Sequence, residues 1–189
     1  ALLGFVTQPV NQPIVFDVML HAGSLLAVIW FFRRYFHRRY LTLLLPLIVS
    51  ALPAAVIGLF IYQKFQSVFE SSGFLGISFL ITSLFLFIYS QLPSGHIKLS
   101  QINLRQALIV GLFQAIAILP GVSRSGSTIF AGRLAKLDDQ AAFTFAFLAS
   151  IPAIAGAILL VAKDTTGLSS LDLSSGLIGL AVSFVASLL

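Results

Sequence analysis

Pro120-Gly-Val-Ser-Arg-Ser-Gly-Ser-Thr128 separates two strongly apolar runs, residues 107–119 and 141–162. An arginine in such surroundings is costly: insertion scales put a cation at the centre of a bilayer at about 2.5–3.5 kcal/mol, so Arg124 marks a functional site by default. Its neighbours suit an anion. Ser123, Ser125, Ser127 and Thr128 offer hydroxyl donors, while Gly121 and Gly126 let the backbone approach a ligand closely. A helix beginning near Thr128 would aim its free N–H groups at the same spot. Together these features predict a phosphate-binding loop inside a membrane. Two blander readings compete. Gly121, Gly126, Ser127 and Thr128 match a Walker-type spacing, but Ser127 stands where the lysine should be and no strand pattern precedes it. Alternatively the stretch is a helix-breaking turn whose arginine snorkels to the interface.

Composition sets the solvent. Of 189 residues, 58% are hydrophobic and 9% charged, with a mean hydropathy of +1.03; a soluble domain carries about 25% charged residues. The apolar runs are long rather than alternating, which predicts an all-α, polytopic membrane bundle. The net charge of +5 does not point to nucleic acid, because the basic residues cluster at the ends of apolar runs, as topology signals do. No cysteine is present, which excludes disulfides and thiolate metal sites. The chain starts at Ala1 without a methionine or signal-peptide pattern and stops at Leu189 within an apolar run, so both ends are expected to be incomplete.

The whole chain reads as one membrane domain. Spans are predicted over residues 14–32, 41–62, 74–92, 141–162 and 173–189, with Pro46, Pro53 and Pro152 kinking their helices. Gly73 and Gly76 offer close packing at the start of the third span. Asn103, with Gln106 three residues on, resembles a capping box. The helix after it, residues 104–119, reaches only about 24 Å, short of a core about 30 Å thick. Residues 104–137 are therefore expected to form a re-entrant helix–loop–helix, permitted only where protein or cavity water covers the loop. Arg33-Arg-Tyr-Phe-His-Arg-Arg-Tyr40 is the strongest orientation signal and is expected to be cytoplasmic. With the hairpin returning to its own side, Arg33, Arg34, Arg38, Arg39, Lys98, Arg105, Arg133 and Lys136 share that side, against Lys64 and Lys163 on the other. A faint echo between residues 16–24 and 143–151, on helices of opposite inferred direction, suits an inverted repeat.

Asp17 and His21, four apart on one helix face, sit in the outer part of the first span. Either they line the cavity that holds Arg124, or Asp17 favours a helix N-terminus and His21 is a packing residue. Gln114 either donates to the loop or links helices. Asp138 and Asp139 are expected to begin the following helix. His37 and His96 fall in loops, and no His/Asp/Glu group has a recognisable metal spacing.

The stretch from Gln114-Ala-Ile-Ala-Ile-Leu-Pro-Gly-Val-Ser-Arg-Ser-Gly126, with Phe16-Asp-Val-Met-Leu-His-Ala-Gly-Ser-Leu-Leu-Ala-Val28 and the arginine-rich loop Arg33 to Arg39, Arg105-Gln-Ala-Leu and Ala141-Ala-Phe-Thr-Phe followed by Ile151-Pro152, resembles the undecaprenyl-diphosphate phosphatases, the bacitracin-resistance membrane phosphatases. The resemblance covers nearly the whole chain. It implies hydrolysis of undecaprenyl diphosphate to the monophosphate, recycling the lipid carrier of peptidoglycan synthesis, in a multi-pass protein of the bacterial inner membrane. It carries the family's phosphate-binding residues onto Ser123, Arg124 and Thr128, the catalytic candidates, with Arg124 essential; Ser125, Gly126, Ser127 and Gln114 are read from the loop's own chemistry as further phosphate contacts. The resemblance also implies an inverted-repeat fold with two re-entrant loops, a divalent cation (Mg or Ca), and room for a homodimer. The family's paired glutamates and Pro-x-Ser-Ser-x-x-His motif would fall before Ala1, and a final helix after Leu189, so most metal ligands are expected outside this sequence. A transporter or flippase for an anionic polyprenyl lipid is the alternative, since a broken helix at mid-depth serves it equally.

Overall fold

The computed structural model describes residues 14–36, 38–58, 72–164 and 170–189. Seven α-helices lie within them: α1 (Ile14–Phe31), α2 (Leu44–Ile57), α3 (Ser72–Gln91), α4 (Leu104–Ile116), α5 (Arg124–Leu134), α6 (Asp139–Asp164) and α7 (Ser170–Leu188). Short 3-10 turns at Arg33–Phe36, Arg38–Leu43 and Leu99–Gln101 connect them. Extended pairing among the described residues is limited to a single bridge between Ile97 and Leu137.

The apolar surface is turned outward. Phe74–Gln91 and Asp139–Leu159 are long and apolar enough to cross a membrane, with mean hydropathies of 1.8 and 2.0. In the first of these only 6% of the window is buried, and Phe79, Leu80 and Phe87 stand exposed. A soluble protein would bury such a helix, whereas lipid accepts it. The chain is an all-α membrane helical bundle.

Its interior is built from small residues, the usual means of close helix approach in lipid. Ala107, Val110, Gly111 and Ala115 of α4 are buried against α2. A methyl added at Gly111 would meet the Ser50 carbonyl oxygen at 2.5 Å, so this crossing tolerates no side chain. Ala131 of α5 and Ala141, Ala142, Phe145, Leu148 and Ala149 of α6 join the same core, together with Phe32, Leu43, Ile102 and Leu137. α1 packs chiefly on α7 and then on α6, the two helices carrying the echoing segments being neighbours.

The boundaries differ from expectation where turns intervene. The second span opens with a 3-10 turn through Leu43 before regular helix begins at Leu44; its expected end at residue 62 lies outside the described residues. α4 stops at Ile116, three residues early, because Ile118 N–H reaches back to Ala115 and Leu119 N–H to Ile116, tightening the helix to a three-residue pitch. Gly76 meets nothing within 4 Å, so it supports no close packing; the side-chain surroundings of position 73 lie outside the described residues.

α4 and α5 form a hairpin closed at its base. The predicted cap is present: Asn103 Oδ1 accepts from Arg105 N–H at 2.8 Å and Gln106 Oε1 accepts from Asn103 N–H at 3.2 Å. α5 ends in a Schellman motif, with Leu137 N–H bonded to Gly132 O and Lys136 N–H to Arg133 O. Lys136 takes the left-handed position at φ 64°, which aims its carbonyl at the N–H groups of His96 and Ile97, both at 3.0 Å. A methyl on Gly95 would collide with that carbonyl. Lys98 pairs with Asp138 at 2.8 Å. The chain thus enters and leaves the hairpin at one end. Its arms, of 13 and 11 residues, measure about 20 and 16 Å, and neither crosses a core about 30 Å thick.

Candidate functional site

The hairpin's tip is a turn followed by a capped helix. Val122 N–H returns to Leu119 O at 3.1 Å, with Pro120 second and Gly121, at φ 91°, third. These are the requirements of a type II turn, in which proline presets one angle and only glycine readily takes the other. Ser123 then caps α5: its Oγ accepts from Gly126 N–H at 3.1 Å, and its carbonyl receives the first helical bond from Ser127 N–H at 2.9 Å. The helix therefore starts at Arg124, three to four residues before its expected start, because serine at the N-cap supplies the acceptor the first turn lacks.

Arg124 is half-buried at the first helical position. Among the described residues its guanidinium has neither an ion pair nor a hydrogen-bonded partner. The N–H groups of Arg124 and Ser125 likewise meet no acceptor there, as the opening of a helix dictates. Ser125 is exposed, its hydroxyl 3.5 Å from that of Ser123. The hairpin and α3 contain no Asp or Glu at all. An unpaired cation, open N–H groups and the positive end of a helix dipole meet here with no competing carboxylate, an arrangement that attracts an anion.

The structure brings Ser123, Arg124, Ser125 and Gly126 together at this point. Two of the expected phosphate donors are engaged elsewhere. Ser127 and Thr128 are 0% and 1% exposed. The Ser127 hydroxyl donates to Ser123 O at 2.8 Å, and that of Thr128 to Arg124 O at 2.9 Å. One turn into α5, both face packed protein and stiffen the first turn rather than line the loop. Gln114 follows the second of its two readings, a link between helices, and not the phosphate contact. It is buried, and its amide nitrogen lies 3.5 Å from Ser50 O on α2. It links two helices, because six residues before Pro120 the face of α4 is turned to α2.

The loop's cover is α3, not the first span. Gly121 sits on Leu75 and Ser78, Ser123 N–H donates to Thr82 Oγ1 at 3.0 Å, and Gly126 lies near Leu86. Phe85 stacks on Phe130 of α5 at 5.0 Å between centroids. Tyr89 lies under the Arg133 guanidinium at 4.8 Å. Arg133 also donates to Leu92 O at 2.6 Å and Pro93 O at 2.8 Å, just beyond the end of α3, and pairs with Asp139. His21 lies on α1, exposed, on the helix whose main contacts are α7 and α6; the side chain of Asp17 lies outside the described residues. The stripe 75, 78, 82, 85, 89 has helical spacing, and the polar Ser78 and Thr82, four apart in an apolar span, were the sequence signal for it.

Divalent metal ions of the Mg or Ca type take oxygen ligands with carboxylates prominent among them. Around this loop the described donors are hydroxyls, amides and a cation, and no group of three His, Cys, Asp or Glu occurs among the described residues. These residues do not fit such an ion.

The family model described as "Bacitracin resistance protein BacA" matches residues 1–189. Similar proteins include "Undecaprenyl-diphosphatase 4" of Bacillus thuringiensis subsp. konkukian, 41% identical over 78% of this chain and 59% of that protein. "Undecaprenyl-diphosphatase" of Rhodopirellula baltica is 37% identical over 99% of this chain and 75% of its own length. The protein of that name from Methanobrevibacter smithii is 32% identical over 95% and 74%. The chain thus spans three fifths to three quarters of the length of these relatives.

Proposed function

The chain belongs to the bacitracin resistance protein BacA family, and from that membership we propose that it carries the phosphate-handling loop of an undecaprenyl-diphosphate phosphatase. The reaction adds water to the terminal phosphorus of a polyprenyl diphosphate and releases inorganic phosphate, leaving the lipid monophosphate. Charge that builds on the phosphate oxygens has to be met by preorganised donors. Arg124 is the donor this chain offers, a planar fork suited to two oxygens at once. The open N–H groups of Arg124 and Ser125 and the Ser125 hydroxyl complete the cradle. Ser123 acts through its cap, fixing the direction of the helix start. Ser127 and Thr128 tie the first-turn carbonyls back, so that the N–H groups stay aligned.

The observation that carries this reading is the unpaired, half-buried Arg124 guanidinium at the start of α5. A cation inside a membrane protein finds a counter-charge or a ligand, and no protein group among the described residues provides one. In the full-length protein, Arg124→Ala should abolish phosphate release from the lipid diphosphate while insertion and unfolding temperature stay unchanged. Arg124→Lys should keep less than about one tenth of the activity, because a point charge lacks the bidentate fork. Turnover near normal in Arg124→Ala would sink the assignment.

The same reading places the protein in the bacterial inner membrane as a multi-pass chain with the 33–39 segment cytoplasmic. It gives the divalent cation carboxylate ligands outside the described residues, and it accommodates a homodimer. Transport of an anionic polyprenyl lipid is the competing use of a broken helix covered by a neighbouring span. Reconstitution in liposomes separates the two: phosphate released from the lipid diphosphate supports the phosphatase, and lipid crossing the bilayer without phosphate release supports the transporter.

A further inference from the structure

Ser123 stands just outside α5, so its own N–H has no acceptor within the helix. It finds one on another element, Thr82 Oγ1 of α3, at 3.0 Å. Thr82 spends its hydroxyl proton on Ser78 O at 3.2 Å. The oxygen that meets Ser123 can therefore only accept, and the polarity of the link is fixed. Two residues earlier Gly121 rests on Ser78, where even a methyl would come within 3.0 Å of Ser78 Cβ. α3 thus holds the loop on both sides of the buried Val122. With the Ser123 N–H tied to α3 and its Oγ tied to Gly126, the N–H groups left open are those of Arg124 and Ser125.

We propose that Thr82 is a positioning residue for the anion loop: its hydroxyl oxygen, by accepting from Ser123 N–H, sets the orientation in which Arg124 and the first N–H groups of α5 receive a diphosphate. This rests on the reading of the loop as a phosphate site. Valine at this position has nearly the same shape and no lone pair. It keeps the packing and leaves the Ser123 N–H without an acceptor.

The test uses the full-length protein in detergent with methylenediphosphonate, a diphosphate that cannot be hydrolysed, as the probe. Thr82→Val should weaken its binding about tenfold while the ligand-free unfolding temperature stays unchanged. Thr82→Ser, which restores the oxygen, should return binding to within about twofold of wild type. Ser83→Ala removes a hydroxyl from the same helix that bonds only Phe79 O, and should leave binding as it was. Unaltered binding in Thr82→Val overturns the proposal. If Arg124→Ala also binds the diphosphonate normally, the phosphate reading itself has failed; if Arg124→Ala loses binding and Thr82→Val does not, only the role of Thr82 has failed. Should Thr82→Val not fold, hydrogen exchange on the unsubstituted protein decides. Diphosphonate should slow exchange in residues 78–86 as well as in 121–128, and protection confined to 121–128 overturns the link.

Discussion

Gly121 shows how much one backbone angle decides. At φ 91° it occupies a region that an L side chain enters at a cost of about 1–2 kcal/mol, and its open side is already occupied by Ser78. Gly121→Ala should therefore destabilise the protein by about 1–2 kcal/mol in reversible unfolding. It should also lower phosphate release, because relief of either strain swings Ser123 away from Thr82. An alanine variant with wild-type stability and turnover would mean that the turn is not needed in this form. Arg124 is the opposite case. Its importance comes from the absence of a counter-charge among the described residues, since neither the hairpin nor α3 carries an Asp or Glu.

At the scale of elements, the hairpin's base is as specific as its tip. Lys136 accepts a left-handed backbone to present its carbonyl to two N–H groups, and Asp138 caps α6 by accepting from Ala141 N–H at 2.6 Å. The hydrogen bond from Lys98 holds the Asp138 carboxyl below the usual carboxylate range, against partial burial, which pushes it up. A carboxyl whose folded pKa is lowered adds stability above its unfolded value, near 3.9, and that stability is lost as pH falls through the lowered folded value. Lys98 is 71% exposed, so the charge pair contributes no more than about 1 kcal/mol. Asp138→Asn keeps a good capping side chain and removes the charge. Its unfolding temperature should fall less steeply than wild type between about pH 4 and pH 2. Equal slopes would show that the pair does not couple to folding.

For the whole molecule the governing question is which way the chain runs through the bilayer. The Ile97–Leu137 bridge and the Lys98–Asp138 pair bring both ends of the hairpin together, and the re-entrant reading puts Arg105 and Lys136 on one side. Because the sequence has no cysteine, single cysteines placed at Arg105, at Lys136 and in the 33–36 turn can be labelled one at a time in cells. A membrane-impermeant thiol reagent should reach all three from the same, cytoplasmic side. Labelling of Lys136→Cys from the opposite side to Arg105→Cys would overturn the re-entrant reading.

Composition and run length by themselves determined the solvent and the helical class, because lipid leaves the backbone no other way to satisfy its hydrogen bonds. The motif 120–128 pointed to the candidate site, since Arg124 among glycines and hydroxyls stands out against an apolar chain. Local capping was legible too: Asn103 with Gln106 formed the bond pattern its spacing implied. What the linear order could not carry was the assignment of partners. Whether a hydroxyl faces a ligand or its own helix depends on where the helix begins, and Ser123 began α5 early enough to turn Ser127 and Thr128 inward. Which span covers the loop depends on packing between segments some forty residues apart. There a polar stripe on α3 met Gly121, Ser123 and Arg133, and Gln114 was drawn to Ser50 instead. Side-chain direction in a membrane bundle follows from close contacts between small residues, and only the tertiary structure decides which small residues meet.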